Sequence, residues 1–319
     1  MQIDMPVAEL EKWRGSNPRP DDFDDYWARA LAEADTVDPA PKLETAGFTC
    51  PFADCFDLWF TGVRGARIHA KYVRPKKAGP FPAVFHFHGY SLDSGDWVRL
   101  LPYAAAGMAI AAMDCRGQGG PSEDTGGVKG NTLHGHIIRG LDDGVDNLLF
   151  RHIFLDTVCL VRVVSGFSEV DRERLGCFGG SQGGALTAAC AALSPGIRRA
   201  APQYPFLCDF KRVWEMDLAA NYGYGELTEY FRRFDPRHER EDEIFTKLGY
   251  IDVQFLAPRI KAEVLMFTGL MDEICPPSSQ FAMYNKIGAK KRILLYPDFA
   301  HEETYPGVGD MTFTFMSAL

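Results

Sequence analysis

The chain contains no long apolar segment, although apolar residues occupy 46% of its 319 positions. A membrane-spanning helix needs at least about 18 consecutive apolar residues, and no run approaches that length. The first residues, Met1 to Pro6, also lack the basic stretch and following apolar stretch of a secretory signal. We therefore expect a cytoplasmic protein without a membrane partner.

Positive charge is also scarce. The 34 Lys and Arg residues are outnumbered by 43 Asp and Glu residues, which gives a net charge of −9. The basic clusters Lys76-Lys77 and Lys290-Lys291-Arg292 are short and far apart. Because nucleic-acid-binding proteins normally present a basic face, this composition argues against nucleic acid as a partner.

Cysteine pairs with the spacing of zinc ligands are missing too. The eight cysteines are spread along the chain, and four residues separate Cys50 from Cys55 with no second pair. Several others lie in apolar segments, where a free cysteine acts as a small apolar residue. The sequence shows no internal repeat and no low-complexity tract. We expect no cysteine metal site and a single domain over residues 1–319.

The most informative segment runs from Leu175 to Ala185. It reads as a short apolar strand, then Gly179-Gly-Ser181-Gln-Gly183, then an Ala-rich helix. In a nucleophile elbow, a serine in a strained turn exposes its hydroxyl, and small residues two positions away avoid collisions with strand and helix. The segment therefore predicts Ser181 as a nucleophile. The alternative is an ordinary Gly-rich turn between a strand and a helix.

A serine hydroxyl needs a base and a carboxylate that orients the base. In chains with this elbow, the acid follows a later strand and the histidine follows the last strand. Asp272 lies after an apolar strand and before Pro277, where we expect a helix to begin, and Glu273 is the alternative acid. His301 follows the last apolar strand, so we expect it to be the base.

The remaining histidines leave an alternative open. His86 and His88 are two residues apart on one predicted strand, so they share a face and could form a metal pair. His134 and His136 lie at the end of a long Gly-rich loop that begins at Gly117. No further ligand cluster is visible near either pair, so we expect no metal site.

Two backbone N–H groups are needed to bind the oxyanion of a tetrahedral intermediate. The residue after the nucleophile, Gln182, supplies one of them in this type of elbow. His88-Gly89-Tyr90 follows a predicted strand at the position of the oxyanion loop. We therefore expect the second N–H to be that of Tyr90.

Strands and helices alternate along the chain, which predicts an α/β fold with a mostly parallel central sheet flanked by helices. Residues 1–50 form an N-terminal extension, and about 205–255 form a helical insertion before the acid-bearing strand. The other predicted elements are a hairpin (58–63 and 67–74), strands (82–87, 108–114, 198–204, 263–268 and 292–296) and helices (98–106, 141–166 and 277–287).

Together these motifs resemble the acetyl xylan esterases and cephalosporin-C deacetylases of carbohydrate esterase family seven, within the α/β-hydrolase superfamily. The resemblance covers nearly the whole chain. It rests on His88-Gly-Tyr90 with Gly95, Arg116-Gly-Gln118-Gly-Gly120, Gly179-Gly-Ser181-Gln-Gly183, Asp272-x-Ile274-Cys-Pro-Pro277 and His301-Glu302.

The resemblance implies an intracellular serine esterase that removes acetyl groups from sugar hydroxyls and from cephalosporin C. It further implies that no cofactor is needed and that the chain assembles as a homo-hexamer, a trimer of dimers. The implied roles are a triad of Ser181, Asp272 and His301, oxyanion donors at Tyr90 and Gln182, and structural roles for Arg116 and Gln118. The Trp214–Tyr230 segment carries no motif that fixes substrate choice.

Two other functional classes share parts of this pattern. A prolyl-oligopeptidase-like peptidase has the same elbow and order of catalytic residues, but we find neither a propeller domain nor an acidic anchor for a substrate amine. A catalytically inactive binding protein of the same fold usually lacks a triad residue, whereas all three are present here. Assays with a small acyl ester and with a peptide separate these alternatives.

Overall fold

The protein forms a mixed sheet covered by helices, as the alternating pattern predicts. The computed structural model describes residues 3–130, 135–217 and 223–319. Within these residues one sheet contains nine strands in the order β1-β2-β3-β5-β4-β6-β7-β8-β9. The strands are β1 (Lys42–Thr45), β2 (Ala53–Thr61), β3 (Arg67–Pro75), β4 (Phe81–Phe87), β5 (Ala109–Met113), β6 (Val170–Gly180), β7 (Ile197–Gln203), β8 (Glu263–Gly269) and β9 (Lys291–Tyr296).

The first three strands are antiparallel to their neighbours, whereas β4 to β9 pair in parallel. The hairpin of β2 and β3 is present, with Phe60 opposite Ile68, but its first strand begins at Ala53 and ends at Thr61 instead of spanning 58–63. Every residue of β5 is buried, as expected for a strand covered on both faces. Because the parallel strands run in one direction, their carboxyl ends meet at a single edge of the sheet.

Helices flank the sheet, and along the chain they lie before the first strand, between strands and after the last strand. They are α1 (Val7–Leu10), α2 (Phe23–Asp35), α3 (Leu101–Ala105), α4 (Leu149–Ser165), α5 (Gln182–Leu193), α6 (Phe210–Met216), α7 (Gly225–Phe234), α8 (Glu241–Gly249), α9 (Val253–Leu256), α10 (Pro277–Tyr284) and α11 (Val308–Ser317). All twelve residues of α5 are buried. Its small side chains let this helix lie close to the sheet.

The N-terminal extension packs against the main body. Phe23, Tyr26 and Trp27 of α2 are fully buried in the main apolar cluster. The Trp27 indole N–H donates to the Tyr250 carbonyl at 3.0 Å, and the Tyr26 hydroxyl donates to the Val145 carbonyl at 2.9 Å. The extension therefore contributes core as well as the edge strand β1.

Three predicted helices differ from the structure, and one of them, expected over 277–287, ends at Tyr284. The helix expected from residue 141 begins at Leu149, because Gly144 is extended (φ −69°, ψ 148°) and residues 145–147 form a separate 3-10 turn. The helix expected over 98–106 is divided into a 3-10 turn at Trp97–Arg99 and α3. Helices α6, α7 and α8 and the start of α9 lie within residues 205–255, the range predicted for the insertion. No helix in the described ranges combines the length and apolar character needed to cross a membrane.

Candidate active site

Ser181 occupies the turn between β6 and α5 in a strained conformation. Its φ of +56° and ψ of −118° lie outside the regions that non-glycine residues favour. A Cβ at Gly183 would lie 2.0 Å from the Phe87 carbonyl oxygen, and a Cβ at Gly179 would lie 2.4 Å from the same oxygen. Glycine at both positions is therefore required by the close approach of the elbow to β4.

The three predicted triad side chains meet at the carboxyl edge of the sheet. Ser181 follows β6, Asp272 follows β8 and His301 follows β9. The Ser181 Oγ lies 3.0 Å from His301 Nε2, and His301 Nδ1 lies 2.8 Å from Asp272 Oδ2. In this arrangement His301 can accept the serine proton at one nitrogen while Asp272 binds the N–H of the other.

Asp272 is completely buried, and its second carboxylate oxygen is also occupied. Oδ1 accepts the backbone N–H groups of Ile274 at 2.9 Å and Cys275 at 2.8 Å. The Gln280 amide nitrogen lies 3.4 Å from Oδ2 and is itself bound to the Cys275 carbonyl at 2.5 Å. These contacts fix the carboxylate so that Oδ2 faces His301. Glu273, the alternative acid, is exposed to solvent.

Tyr204, which follows β7, flanks the histidine. Its ring is edge-on to the His301 imidazole with 4.8 Å between centroids, and its hydroxyl donates to the Glu303 carbonyl at 3.0 Å. Burial and the nearby Asp272 carboxylate raise the pKa of Tyr204. The phenol therefore stays neutral and limits the positions open to His301.

The loop after β4 is held by the buried His88. The Cys115 backbone N–H donates to His88 Nε2 at 2.9 Å, so the other nitrogen carries the proton and donates to the Gly89 carbonyl at 2.7 Å. Burial lowers the pKa of His88, which favours this neutral form. Of the two residues expected to supply the oxyanion N–H groups, Tyr90 follows in this loop and Gln182 is the first residue of α5.

Gln182 also joins two loops through its side chain. The Gln118 and Gln182 amides form two reciprocal hydrogen bonds of 2.9 and 3.0 Å. The Gln118 side-chain oxygen also accepts the Ser91 backbone N–H at 2.9 Å. This pair links the elbow helix to the loop that carries Tyr90.

A buried ion pair anchors the loop that contains Gln118. Arg116 contacts both carboxylate oxygens of Asp156 at 2.6 Å, and each side chain is about 1% exposed. The Arg116 guanidinium also donates to the Val63 carbonyl at 3.1 Å. These contacts agree with the structural roles that the resemblance implied for Arg116 and Gln118.

The structure does not support a metal pair at His86 and His88. Both nitrogens of His88 are bound to backbone groups, so His88 has no free nitrogen for a metal ion. His136 lies beside Ser91, with 3.1 Å between the hydroxyl and Nε2, whereas His134 lies outside the described residues.

One group of side chains in the described residues has ligand atoms close enough for a metal ion. It consists of Asp272, Cys275 and His301, whose atoms lie within 4.8 Å of one another. Asp272 and His301 already form a hydrogen bond to each other, and His301 forms another to Ser181. The local geometry is therefore that of a serine triad. All eight cysteines are free and buried.

A cavity of about 710 Å³ opens onto Ser181 and His301. Tyr90, Phe206 and Ile274 line it, as do Arg99, Tyr103 and Glu303. Apolar walls with a few polar groups are typical of small-molecule sites. Phe206 comes from the insertion, so part of the predicted insertion reaches the cavity.

Sequence reasoning did not indicate Tyr204 or Gln280 as members of this site. Tyr204 follows the strand between β6 and β8, so the strand order itself could have placed it near the triad. Gln280 lies one turn into α10, where nothing in the local pattern indicates a contact with Asp272.

Comparisons with known proteins agree with the family resemblance seen in the sequence motifs. The model of the acetyl xylan esterase (AXE1) family matches residues 1–319. The crystal structure of acetyl xylan esterase 1 from Thermoanaerobacterium sp. JW/SL YS485 is 59% identical, with a TM-score of 0.97 and coverage of 99% of each chain. Acetyl xylan esterase from Paenibacillus sp. R4 is 34% identical, with a TM-score of 0.93, and the match covers 98% of this chain and 99% of that one.

The acetyl esterase Axe7A of Xylanibacter ruminicola is 28% identical over an alignment of 302 positions, and the match covers 93% of this chain. The match spans 66% of that relative's length. More distant solved structures, an acylaminoacyl peptidase and a cold-adapted esterase among them, share the α/β-hydrolase fold alone. From its full-length match and its similarity to two solved relatives, the chain belongs to the acetyl xylan esterase (AXE1) family, carbohydrate esterase family seven, a family of carboxylic ester hydrolases.

Proposed function

We propose that this chain is a serine esterase that removes acetyl groups from acetylated xylo-oligosaccharides and from small acetyl esters such as cephalosporin C. The observation that carries the proposal is the chain of hydrogen bonds from Ser181 through His301 to Asp272 at the base of an open cavity. Family membership supports the choice of an acetyl ester as substrate.

The reaction begins when His301 Nε2 takes the proton of the Ser181 hydroxyl as Oγ attacks the acetyl carbonyl carbon. Asp272 binds the Nδ1–H and stabilises the imidazolium that forms. The backbone N–H groups of Tyr90 and Gln182 bind the oxyanion, which lowers the barrier because charge develops there. His301 then protonates the departing alcohol oxygen as its bond to the acyl carbon breaks, leaving an acetyl group on Ser181.

Water completes the cycle by the same steps. His301 removes a proton from the water molecule, whose oxygen attacks the acetyl-enzyme, and the tetrahedral intermediate uses the same two N–H groups. Collapse of that intermediate returns the proton to Ser181 Oγ and releases acetate. No step requires a cofactor.

A panel of p-nitrophenyl esters with increasing acyl length tests the chemistry and the size of the acyl site. Acetylated xylo-oligosaccharides and cephalosporin C run in parallel test the alcohol. We expect the acetyl ester to be the best substrate in the panel and Ser181→Ala to abolish turnover of all of them. Cleavage of peptides without cleavage of acetyl esters would favour the peptidase alternative, and absence of both would favour a binding protein.

We also propose that the chain acts as a homo-hexamer, a trimer of dimers, with active sites facing a shared interior. The resemblance supports this assembly, and the exposed apolar side chains Leu92 and Val98 are suited to a contact between copies. Light scattering should give about six times the 35.6 kDa chain mass. The deacetylation rate should fall sharply from oligosaccharide to polymeric xylan. A stable monomer that deacetylates both equally would contradict the assembly.

A cytoplasmic location is part of the same proposal. Eight free, buried cysteines with no disulfide among them fit a reducing compartment. Fractionation of cells that express the untagged protein from its own gene tests this location, and esterase activity in the cytoplasmic fraction is the expected result.

A further inference from the structure

A glutamate of the insertion binds a row of backbone N–H groups close to the proposed oxyanion loop. Glu226 lies in the first turn of α7. Its Oε1 accepts the His136 N–H at 3.0 Å, and its Oε2 accepts the N–H groups of Ile137 at 2.7 Å and Ile138 at 3.2 Å. One side chain therefore fixes three consecutive peptides from another part of the chain.

The segment that Glu226 fixes is in direct contact with Tyr90. The His136 N–H also donates to the Tyr90 hydroxyl oxygen at 2.9 Å, and the two rings are 4.9 Å apart. His136 Nε2 lies 3.1 Å from the Ser91 hydroxyl. The Tyr90 ring also packs against Phe206, at 5.6 Å between centroids. The position of Tyr90 thus depends on where residues 136–138 are held.

We propose that Glu226 is a positioning residue for the oxyanion site, acting through residues 136–138 on the ring of Tyr90 and so on its backbone N–H. The inference rests on the proposed function, because it assumes that this N–H binds the oxyanion. The proposal gives a role to a residue of the Trp214–Tyr230 segment, in which no sequence motif indicated a function. Glu226 touches no reacting atom, so it affects the rate only by fixing Tyr90.

The pKa of Glu226 allows the proposal to be tested through the pH dependence of the rate. Burial raises the pKa of Glu226 to about 7, in opposition to the three N–H groups, which lower it. Among the described residues, Tyr90 and His136 are the titratable residues that share this contact with Glu226. Burial lowers the pKa of His136, and the nearby Arg139 lowers it further while Asp124 raises it. A protonated carboxyl has one fewer oxygen suited to accepting an N–H. The hydrogen bonds from the N–H groups of residues 136–138 to Glu226 therefore weaken as the pH falls through about 7.

The experiment compares Glu226→Gln with wild type and with Glu229→Gln. Glu229 lies on the same helix and pairs with Arg233 at 3.0 Å, so its substitution removes the same charge while the three hydrogen bonds of Glu226 stay intact. Initial rates with a soluble acetyl ester give kcat and KM for each enzyme between pH 5.5 and 8.5. Thermal unfolding of each enzyme shows whether the fold is retained.

We expect kcat of Glu226→Gln to fall about tenfold at pH 8 with KM within twofold, because loss of a whole oxyanion donor costs about 10²–10³. The Glu229→Gln enzyme should match wild type. The ratio of wild-type to Glu226→Gln kcat/KM should decline towards one as the pH falls below about 7, since the protonated carboxyl then resembles the amide. Taking a ratio removes the pH dependence that both enzymes share.

Two results would overturn the inference. One is an unchanged kcat in a folded Glu226→Gln enzyme, and the other is a loss of rate that is the same at every pH. If Glu226→Gln fails to fold, Tyr90→Phe supplies the second test, because it removes the hydroxyl that accepts the His136 N–H and should also lower kcat more than KM. Failure of the proposed function is distinct, because wild type would then lack acetyl-ester turnover that depends on Ser181.

Discussion

Replacement of Asp272 by asparagine should convert the histidine to the wrong tautomer while leaving the fold intact. The amide oxygen must remain where Oδ1 is, because only an oxygen can accept the N–H groups of Ile274 and Cys275. The amide nitrogen then faces His301 Nδ1 and donates to it. Nδ1 becomes an acceptor, so the imidazole proton moves to Nε2, which can no longer accept the proton of Ser181.

The size of the effect follows from this change of tautomer. In a serine protease triad, the same change lowers kcat by about 10⁴-fold, which corresponds to about 5.4 kcal/mol of transition-state stabilisation at about 1.36 kcal/mol per factor of ten. Because asparagine has nearly the volume of aspartate, we expect little change in packing around the buried side chain. KM should change little, since Asp272 is fully buried and is two groups removed from the acyl carbon.

Initial rates with an acetyl ester, corrected for spontaneous hydrolysis, measure the loss. Glu273→Gln is the matched control, because Glu273 is adjacent in sequence but exposed to solvent, and we expect it to retain wild-type kcat. If Asp272→Asn kept more than a tenth of the wild-type kcat, or if Glu273→Gln lost as much, the assignment of the acid would be refuted.

Ser181→Ala should lower kcat by several orders of magnitude with an unchanged unfolding temperature, and a serine-directed phosphonate that labels a different serine would contradict the elbow assignment. Asp156→Ala should cost about 3–5 kcal/mol because it leaves the guanidinium of Arg116 buried without a counter-ion. Glu173→Ala, which breaks an exposed pair with Arg198, should cost less than about 1 kcal/mol. Urea unfolding of both variants checks the difference, and equal losses would contradict the reasoning. Dialysis against a chelator should leave the rate unchanged, whereas zinc-dependent recovery after such treatment would favour a metal mechanism.

The sequence was sufficient to place the candidate site residues along the chain relative to the strands that precede them. The Gly-x-Ser-x-Gly pattern between an apolar strand and an Ala-rich helix placed Ser181 at the elbow, and the position of His301 after the last strand followed from the same pattern. The structure brings both side chains and Asp272 within hydrogen-bond distance. Their catalytic roles remain proposals, as do those of the Tyr90 and Gln182 N–H groups.

Contacts between distant segments could not be predicted in the same way. Glu226 and His136 are 90 residues apart, and neither lies in a local pattern that indicates the other. The start of α4 was misplaced because Leu141, Val145 and Leu148 recur at helical spacing before Leu149, so periodicity alone extended the helix through Gly144. Local propensity sets where an element can form, whereas tertiary packing decides where it ends.

The insertion leaves the sheet after β7 and returns at β8, two strands that are hydrogen-bonded neighbours. Changes in its length or sequence therefore leave the spacing of the strands that carry Ser181, Asp272 and His301 unaltered. Evolution can therefore change the insertion, and with it the wall of the cavity near Phe206, while the triad side chains stay in place. The same separation makes cavity-lining residues of the insertion, such as Phe206, the natural positions to randomise for new acyl or alcohol preferences, with Tyr204 and Glu226 kept unchanged.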